Sequence, residues 1–128
     1  MDNSQKRILI VEDDQFLREF YQELLLAEGY LIDVAADGEV ALYKLQNNEY
    51  DLVLLDLMLP KKDGVQVLRD LKLSPPKSPN VIIVILTNLG QDLVIKECFD
   101  LGADGYLIKS ALNPDQVLTE VKSYLQKS

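Results

Sequence analysis

At four places in this 128-residue sequence a polar or charged residue stands at the end of an apolar run. Glu12-Asp13-Asp14 follows Ile8–Val11, Asp56 follows Leu52–Leu55, Thr87 follows Val81–Leu86 and Lys109 follows Tyr106–Ile108. Asp56 is the most informative of these. In Leu52-Val-Leu-Leu-Asp-Leu-Met-Leu59 its carboxylate would be desolvated, a cost of several kcal/mol unless a cation answers it. Converging carboxylates and a backbone carbonyl make an all-oxygen site. That donor set suits Mg²⁺, whereas zinc would want histidine or cysteine, and the chain has no histidine and one cysteine. Asp14 fits the acidic start of a helix, which leaves Glu12 and Asp13 for the metal. Opposite a carboxylate and a metal, Lys109 reads as a phosphate clamp, and the Thr87 hydroxyl suits a transferred phosphoryl oxygen.

For these residues to meet, the elements carrying them must share one rim. Runs of strand length occur at Ile8–Val11, Tyr30–Ala35, Leu52–Leu55, Val81–Leu86 and Tyr106–Ile108. Val81–Leu86 has no alternation and is rich in β-branched residues, as in a parallel strand covered on both faces. Between the strands come segments of helical spacing: Phe16, Leu17, Phe20, Tyr21, Leu24 and Leu25, then Val40, Ala41 and Leu45, then Val65, Leu68 and Leu71. Asp92–Leu101 places Val94, Cys98 and Leu101 on one face. In the last segment Asn113 caps, Pro114 takes the first position, Gln116 closes a capping box, and Val117, Leu118, Val121 and Leu125 form the apolar face. Ser74-Pro-Pro-Lys-Ser-Pro79 reads as the loop stopping the third helix. The alternation predicts an α/β fold, (βα)5 with a doubly wound parallel sheet, whose ligands lie outside the strands' carboxyl ends.

Composition sets the outer limits. With 48% hydrophobic and 27% charged residues, 1–128 is expected to be a single domain with one core and no output domain. A net charge of −8 argues against nucleic acid and anionic membrane as partners. The absence of histidine removes Ser/His/Asp and Cys/His catalysis, so any imidazole must come from a partner. Cys98 reads as a core residue. No signal-like segment or apolar run of membrane length is present, and a cytoplasmic location is expected.

From Arg7 to about Gln126 the chain resembles the receiver domains of two-component response regulators. The resemblance rests on Ile8-Leu-Ile-Val-Glu-Asp-Asp14, on Leu54-Leu-Asp-Leu-Met-Leu-Pro60 with Lys-Lys-Asp-Gly64, on Leu86-Thr87, and on Gly102-Ala-Asp-Gly-Tyr-Leu-Ile-Lys109. It implies a flavodoxin-like, CheY-like fold with strand order 2-1-3-4-5. Asp56 would accept a phosphoryl group from a histidine kinase or His-phosphotransfer protein. Glu12, Asp13, Asp56 and the main-chain carbonyl of Met58 would hold Mg²⁺, and Lys109 would pair with the phosphoryl group. Thr87 would move toward that group, and Tyr106 would be the aromatic that turns inward on activation. Such a domain is a signalling phosphoacceptor that assists its own phosphorylation and dephosphorylation, not an enzyme in the usual sense.

Ser110 stands where the family usually has a proline in a cis peptide. A non-proline cis bond costs about 3–4 kcal/mol, so a trans Lys109–Ser110 bond is expected. The stretch from Gly105 to Ala111 lacks the charged pattern of relatives that dimerise there, which predicts a monomer before activation, while the net charge of −8 and the expected lack of an output domain predict output by protein contact in trans. Resemblance also assigns phosphoryl lifetime to Met58 and Leu89. Both are bulky and apolar, unable to orient a water strongly, and predict a long-lived phosphorylated state. Two other readings compete with this one. A haloacid-dehalogenase-type hydrolase would want an acid where Met58 stands, and a purely binding, degenerate receiver would not need the complete acidic, Thr and Lys set.

Overall fold

The computed structural model describes residues 6–88, 92–111 and 113–127. The strands are β1 (Arg7–Val11), β2 (Leu31–Ala35), β3 (Leu52–Asp56), β4 (Ile82–Thr87) and β5 (Gly105–Ile108). The helices are α1 (Gln15–Leu26), α2 (Gly38–Asn47), α3 (Gly64–Leu73), α4 (Asp92–Asp100) and α5 (Pro114–Lys127), with a short 3₁₀ turn at Lys109–Ala111. All pairings are parallel, and the sheet order is β2-β1-β3-β4-β5, the flavodoxin-like order expected.

The pleat sorts the strand residues into two cores, one on each side of the sheet. Leu9, Val11, Val53, Leu55, Ile83 and Ile85 pack with Ala41, Leu45, Val67, Leu68 and Cys98 of α2, α3 and α4. Ile8, Ile10, Leu52, Leu54, Val84 and Leu107 pack with Tyr21, Leu25, Val117 and Val121 of α1 and α5. Burial of both faces is why the central strands show runs, not alternation, of apolar residues. Cys98 is fully buried, and burial pushes its thiol up to about 11.

Local signals set the helix ends. Asp14 caps α1 by accepting from the Leu17 amide, and Asp63 with Gln66 forms a capping box on α3. The α5 box is also present: Asn113 and Gln116 exchange backbone-to-side-chain bonds, each 2.9 Å. The Pro-rich stretch is the loop between α3 and β4. Phe16 departs from the expected pattern, being 81% exposed. It lies in the first turn of α1, where Leu17 and not Phe16 packs against the core. Leu89 lies outside the described residues.

Candidate functional site

Parity along the strands explains which side chains meet. Ile10 pairs with Leu54, Leu54 with Val84, and Leu86 with Leu107. Two residues further along their strands, Glu12, Asp56 and Lys109 therefore leave the carboxyl rim on the side of α1 and α5. Thr87, in step with Ile83 and Ile85, leaves on the side of α4, as does Tyr106, which pairs with Ile85.

Lys109 Nζ stands 2.9 Å from Asp56 Oδ2 and 2.7 Å from Glu12 Oε1. Glu12 and Asp56 are buried, and Thr87 is buried at the end of β4. The Met58 amide donates to Asp56 Oδ1 at 3.1 Å, fixing the carboxylate plane at the start of the β3–α3 loop. The Asp14 amide donates to Glu12 Oε2 at 3.1 Å. Burial raises the Glu12 carboxyl above its ordinary range, with the bond from Lys109 opposing it. Burial would lower the Lys109 ammonium, but its hydrogen bonds to Glu12 and Asp56 outweigh burial and hold it above the usual lysine range. The ammonium therefore stays charged between two carboxylates. The Lys109–Ser110 peptide is trans, as expected, and leads into the 3₁₀ turn.

One carboxylate oxygen from each of Glu12, Asp13 and Asp56 lies within 4.8 Å of the others, with Asp13 exposed and the other two buried. Glu12 Oε1 is buried, and among the described residues its close polar partner is the Lys109 ammonium at 2.7 Å. Three converging carboxylates, two buried and one open to water, fit a hard, partly hydrated cation such as Mg²⁺. Met58 has its side chain 64% exposed in the groove that runs from Asp13 past Leu59 and Val65 toward α4.

Several contacts of the site were not readable from the sequence. Arg18, one turn into α1, donates from Nη1 to the main-chain oxygens of Glu12 at 2.9 Å and Asp13 at 3.4 Å, tying down the acidic loop. Its spacing from Asp14 is the only sequence signal. Tyr21, buried beneath the rim, has its phenol raised by that burial. The Glu12–Lys109 pair joins the first and last strands' ends, which no local pattern announces.

Comparison with known proteins covers the same span. Residues 8–122 match the response regulator receiver domain family. The chain is 40% identical over 106 residues to the gliding motility regulatory protein of Myxococcus xanthus, covering 83% of this chain and 14% of that one. It is 37% identical over 122 residues to the transcriptional regulatory protein CpxR of Escherichia coli (strain K12), covering 95% and 50%. It therefore spans half or less of these relatives' lengths. Among solved structures, a CheY-like response regulator receiver domain protein from Methanospirillum hungatei JF-1 superimposes with a TM-score of 0.85 at 31% identity, covering 95% of this chain and 94% of that one. The receiver domain of the Francisella response regulator 1452 gives 0.84 at 27% identity, covering 96% and 98%.

Proposed function

The chain belongs to the response regulator receiver domain family, and on that premise we propose that Asp56 is its phosphoacceptor in a two-component phosphorelay. Receiver domains are signalling phosphoacceptors, not classical enzymes, and they bind Mg²⁺ at an acidic pocket. The observation that carries the assignment is the buried Asp56 carboxylate, oriented by the Met58 amide and met by the Lys109 ammonium, with Glu12 and Asp13 converging on it.

A phosphohistidine on a histidine kinase or His-phosphotransfer protein supplies the group. The N–P bond on the partner breaks as an O–P bond forms at Asp56, and the chain brings no imidazole of its own. In such a transfer the receiving protein positions and neutralises more than it moves protons. Lys109 offers a fixed cation to a phosphoryl oxygen, and the Thr87 hydroxyl, which donates to the Asn88 carbonyl at 3.2 Å, would turn to donate to another. Glu12, Asp13, Asp56 and the main-chain carbonyl of Met58 would hold Mg²⁺, which when bound would supply positive charge to offset that of the phosphoryl oxygens. Tyr106, on the α4 side with Thr87, carries the change outward, biasing the α4–β5 surface between two states. Met58 shields the acyl phosphate from water, and Leu89 is assigned the same part.

With a net charge of −8, the surface so switched acts by protein contact in trans and not on nucleic acid. Before activation the domain is a cytoplasmic monomer. Among the described residues no helix is long and apolar enough to cross a membrane. The relatives named transcriptional regulators are longer chains, and what they act on belongs to those proteins. Amide resonances followed by NMR test the reading. Acetyl phosphate with Mg²⁺ is expected to perturb the surroundings of Asp56, Thr87 and Tyr106 in wild type and not in Asp56→Asn. Perturbation elsewhere, or equal in both proteins, would overturn it.

A further inference from the structure

Tyr106 and Phe99 are each close to half exposed, 42% and 43%, but their rings are not independent. The centroids lie 6.2 Å apart with the planes at 83°, an edge-to-face pair. Phe99 sits in the last turn of α4 next to Cys98, whose full burial anchors that turn on the sheet. Tyr106 lies on β5, an edge strand, and its pairing with Ile85 puts its ring on the sheet face that carries Thr87 and α4. The main chain beneath the ring is held from the other layer. Tyr124 of α5 is hydrogen-bonded to the Tyr106 backbone, and its hydroxyl would lie 1.8 Å from a Cβ at position 105. Gly105 is therefore the residue that lets α5 reach the strand.

Displacing the β5 backbone would break the Tyr124 contact, whereas turning the Tyr106 ring breaks its pairing with Phe99 and leaves the Tyr124 contact in place. We propose that Phe99 is a positioning residue that sets the resting balance of the switch, holding the Tyr106 ring outward while Tyr124 confines the change to the ring. The inference rests on the reading of Asp56 as phosphoacceptor with Thr87 and Tyr106 as its switch. Aromatic pairs of this geometry are worth about a two- to tenfold bias between arrangements. Because coupling is reciprocal, releasing the ring also lowers the phosphodonor requirement by up to that factor.

The test uses the full chain labelled with 3-fluorotyrosine, with the Tyr106 ¹⁹F resonance assigned by Tyr106→Phe. Solvent exposure of that fluorine is read with a soluble paramagnetic agent, first without any phosphodonor. Deleting a neighbour that only packs would raise the exposure of Tyr106, whereas deleting one that holds the ring outward lowers it. The proposal predicts lower exposure in Phe99→Ala and Phe99→Leu, with the outward position restored in Phe99→Tyr. It also predicts half-phosphorylation by acetyl phosphate and Mg²⁺ at a concentration about two- to tenfold lower. Higher or unchanged exposure in both the Ala and Leu variants overturns it, whatever their melting temperatures. If wild type takes up no phosphoryl group, the phosphoacceptor reading fails. The exposure measurement, made without donor, still decides the part played by Phe99.

Discussion

Lys109 and Asp56 meet across β4: Nζ of the lysine after β5 lies 2.9 Å from Oδ2 of the aspartate that ends β3. The cation is in place before any phosphoryl charge arrives, so little reorganisation is left for the transfer itself. Its second contact, 2.7 Å to Glu12 Oε1, makes one ammonium the counter-charge of two buried carboxylates.

Removing that ammonium should therefore destabilise the fold as well as slow phosphorylation. Lys109→Met is expected to lose about 3 kcal/mol in urea unfolding at neutral pH, because two buried carboxylates are left facing one another. Adding Glu12→Gln should recover part of that loss. Strict additivity in the double-mutant cycle would show that the two side chains are not coupled.

A second polar cluster, away from the rim, makes stability depend on pH. Tyr50 donates to Asp33 Oδ2 at 2.6 Å, and Lys44 donates to Asp33 Oδ1 at 2.8 Å. Burial would raise the Asp33 carboxyl, but the bonds from Lys44, Tyr50 and the Val34 amide outweigh it and hold the carboxyl below its ordinary range. Burial, with Asp33 adding to it, pushes the Tyr50 phenol well above its ordinary range. A depressed acid stabilises above its unfolded pKa of about 4 and loses that contribution as pH falls through the folded value. A raised phenol stabilises below about pH 10 and loses its contribution as pH rises beyond that. Tyr50→Phe should cost about 1 kcal/mol between these limits, a figure discounted for the part-exposed Asp33, and should flatten both flanks of the stability–pH curve. Unchanged flanks in urea titrations would contradict the assignment.

Gly38 supports the β3–α3 loop from the start of α2. A Cβ there would lie 1.7 Å from the Lys62 carbonyl oxygen, and the Gly38 amide donates to Pro60 O at 3.4 Å. Gly38→Ala is expected to cost about 2 kcal/mol by overpacking against main chain and to displace the loop that carries Met58. Amide shifts at Met58 larger than those on α1 would bear this out, whereas a stability unchanged from wild type would not.

Much of the fold was legible because burial on both sheet faces writes itself as apolar runs, and strand starts and ends fell within a residue or two of the runs. Asp56 joins β3 because the β3–β4 register extends to Asp56 and Leu86, and Thr87 joins β4 because the β4–β5 register extends to Thr87 and Ile108. The rim residues were legible as polar types closing apolar runs. Partner choice was not. Glu12 read as a metal ligand and Lys109 as a phosphate clamp, yet here they are each other's partners, since contacts between chain ends have no local signature. Phe16 shows a related limit, because, of the adjacent apolar pair Phe16 and Leu17, only Leu17 packs against the core.

Lifetime gives a further handle. Met58, beside the site and 64% exposed, offers no strong hydrogen bond to a water. Met58→Asn should shorten the aspartyl phosphate lifetime at fixed Mg²⁺ without phosphatase, and Leu89→Glu should do the same. Decay rates equal to wild type in both variants would remove shielding as the cause.

The phosphoacceptor assignment itself is tested most directly by intact-protein mass spectrometry after incubation with acetyl phosphate, with and without Mg²⁺. Wild type should gain one phosphoryl group only when Mg²⁺ is present, and Asp56→Asn should gain none. Equal labelling of Asp56→Asn, or labelling of wild type indifferent to Mg²⁺, would contradict the account.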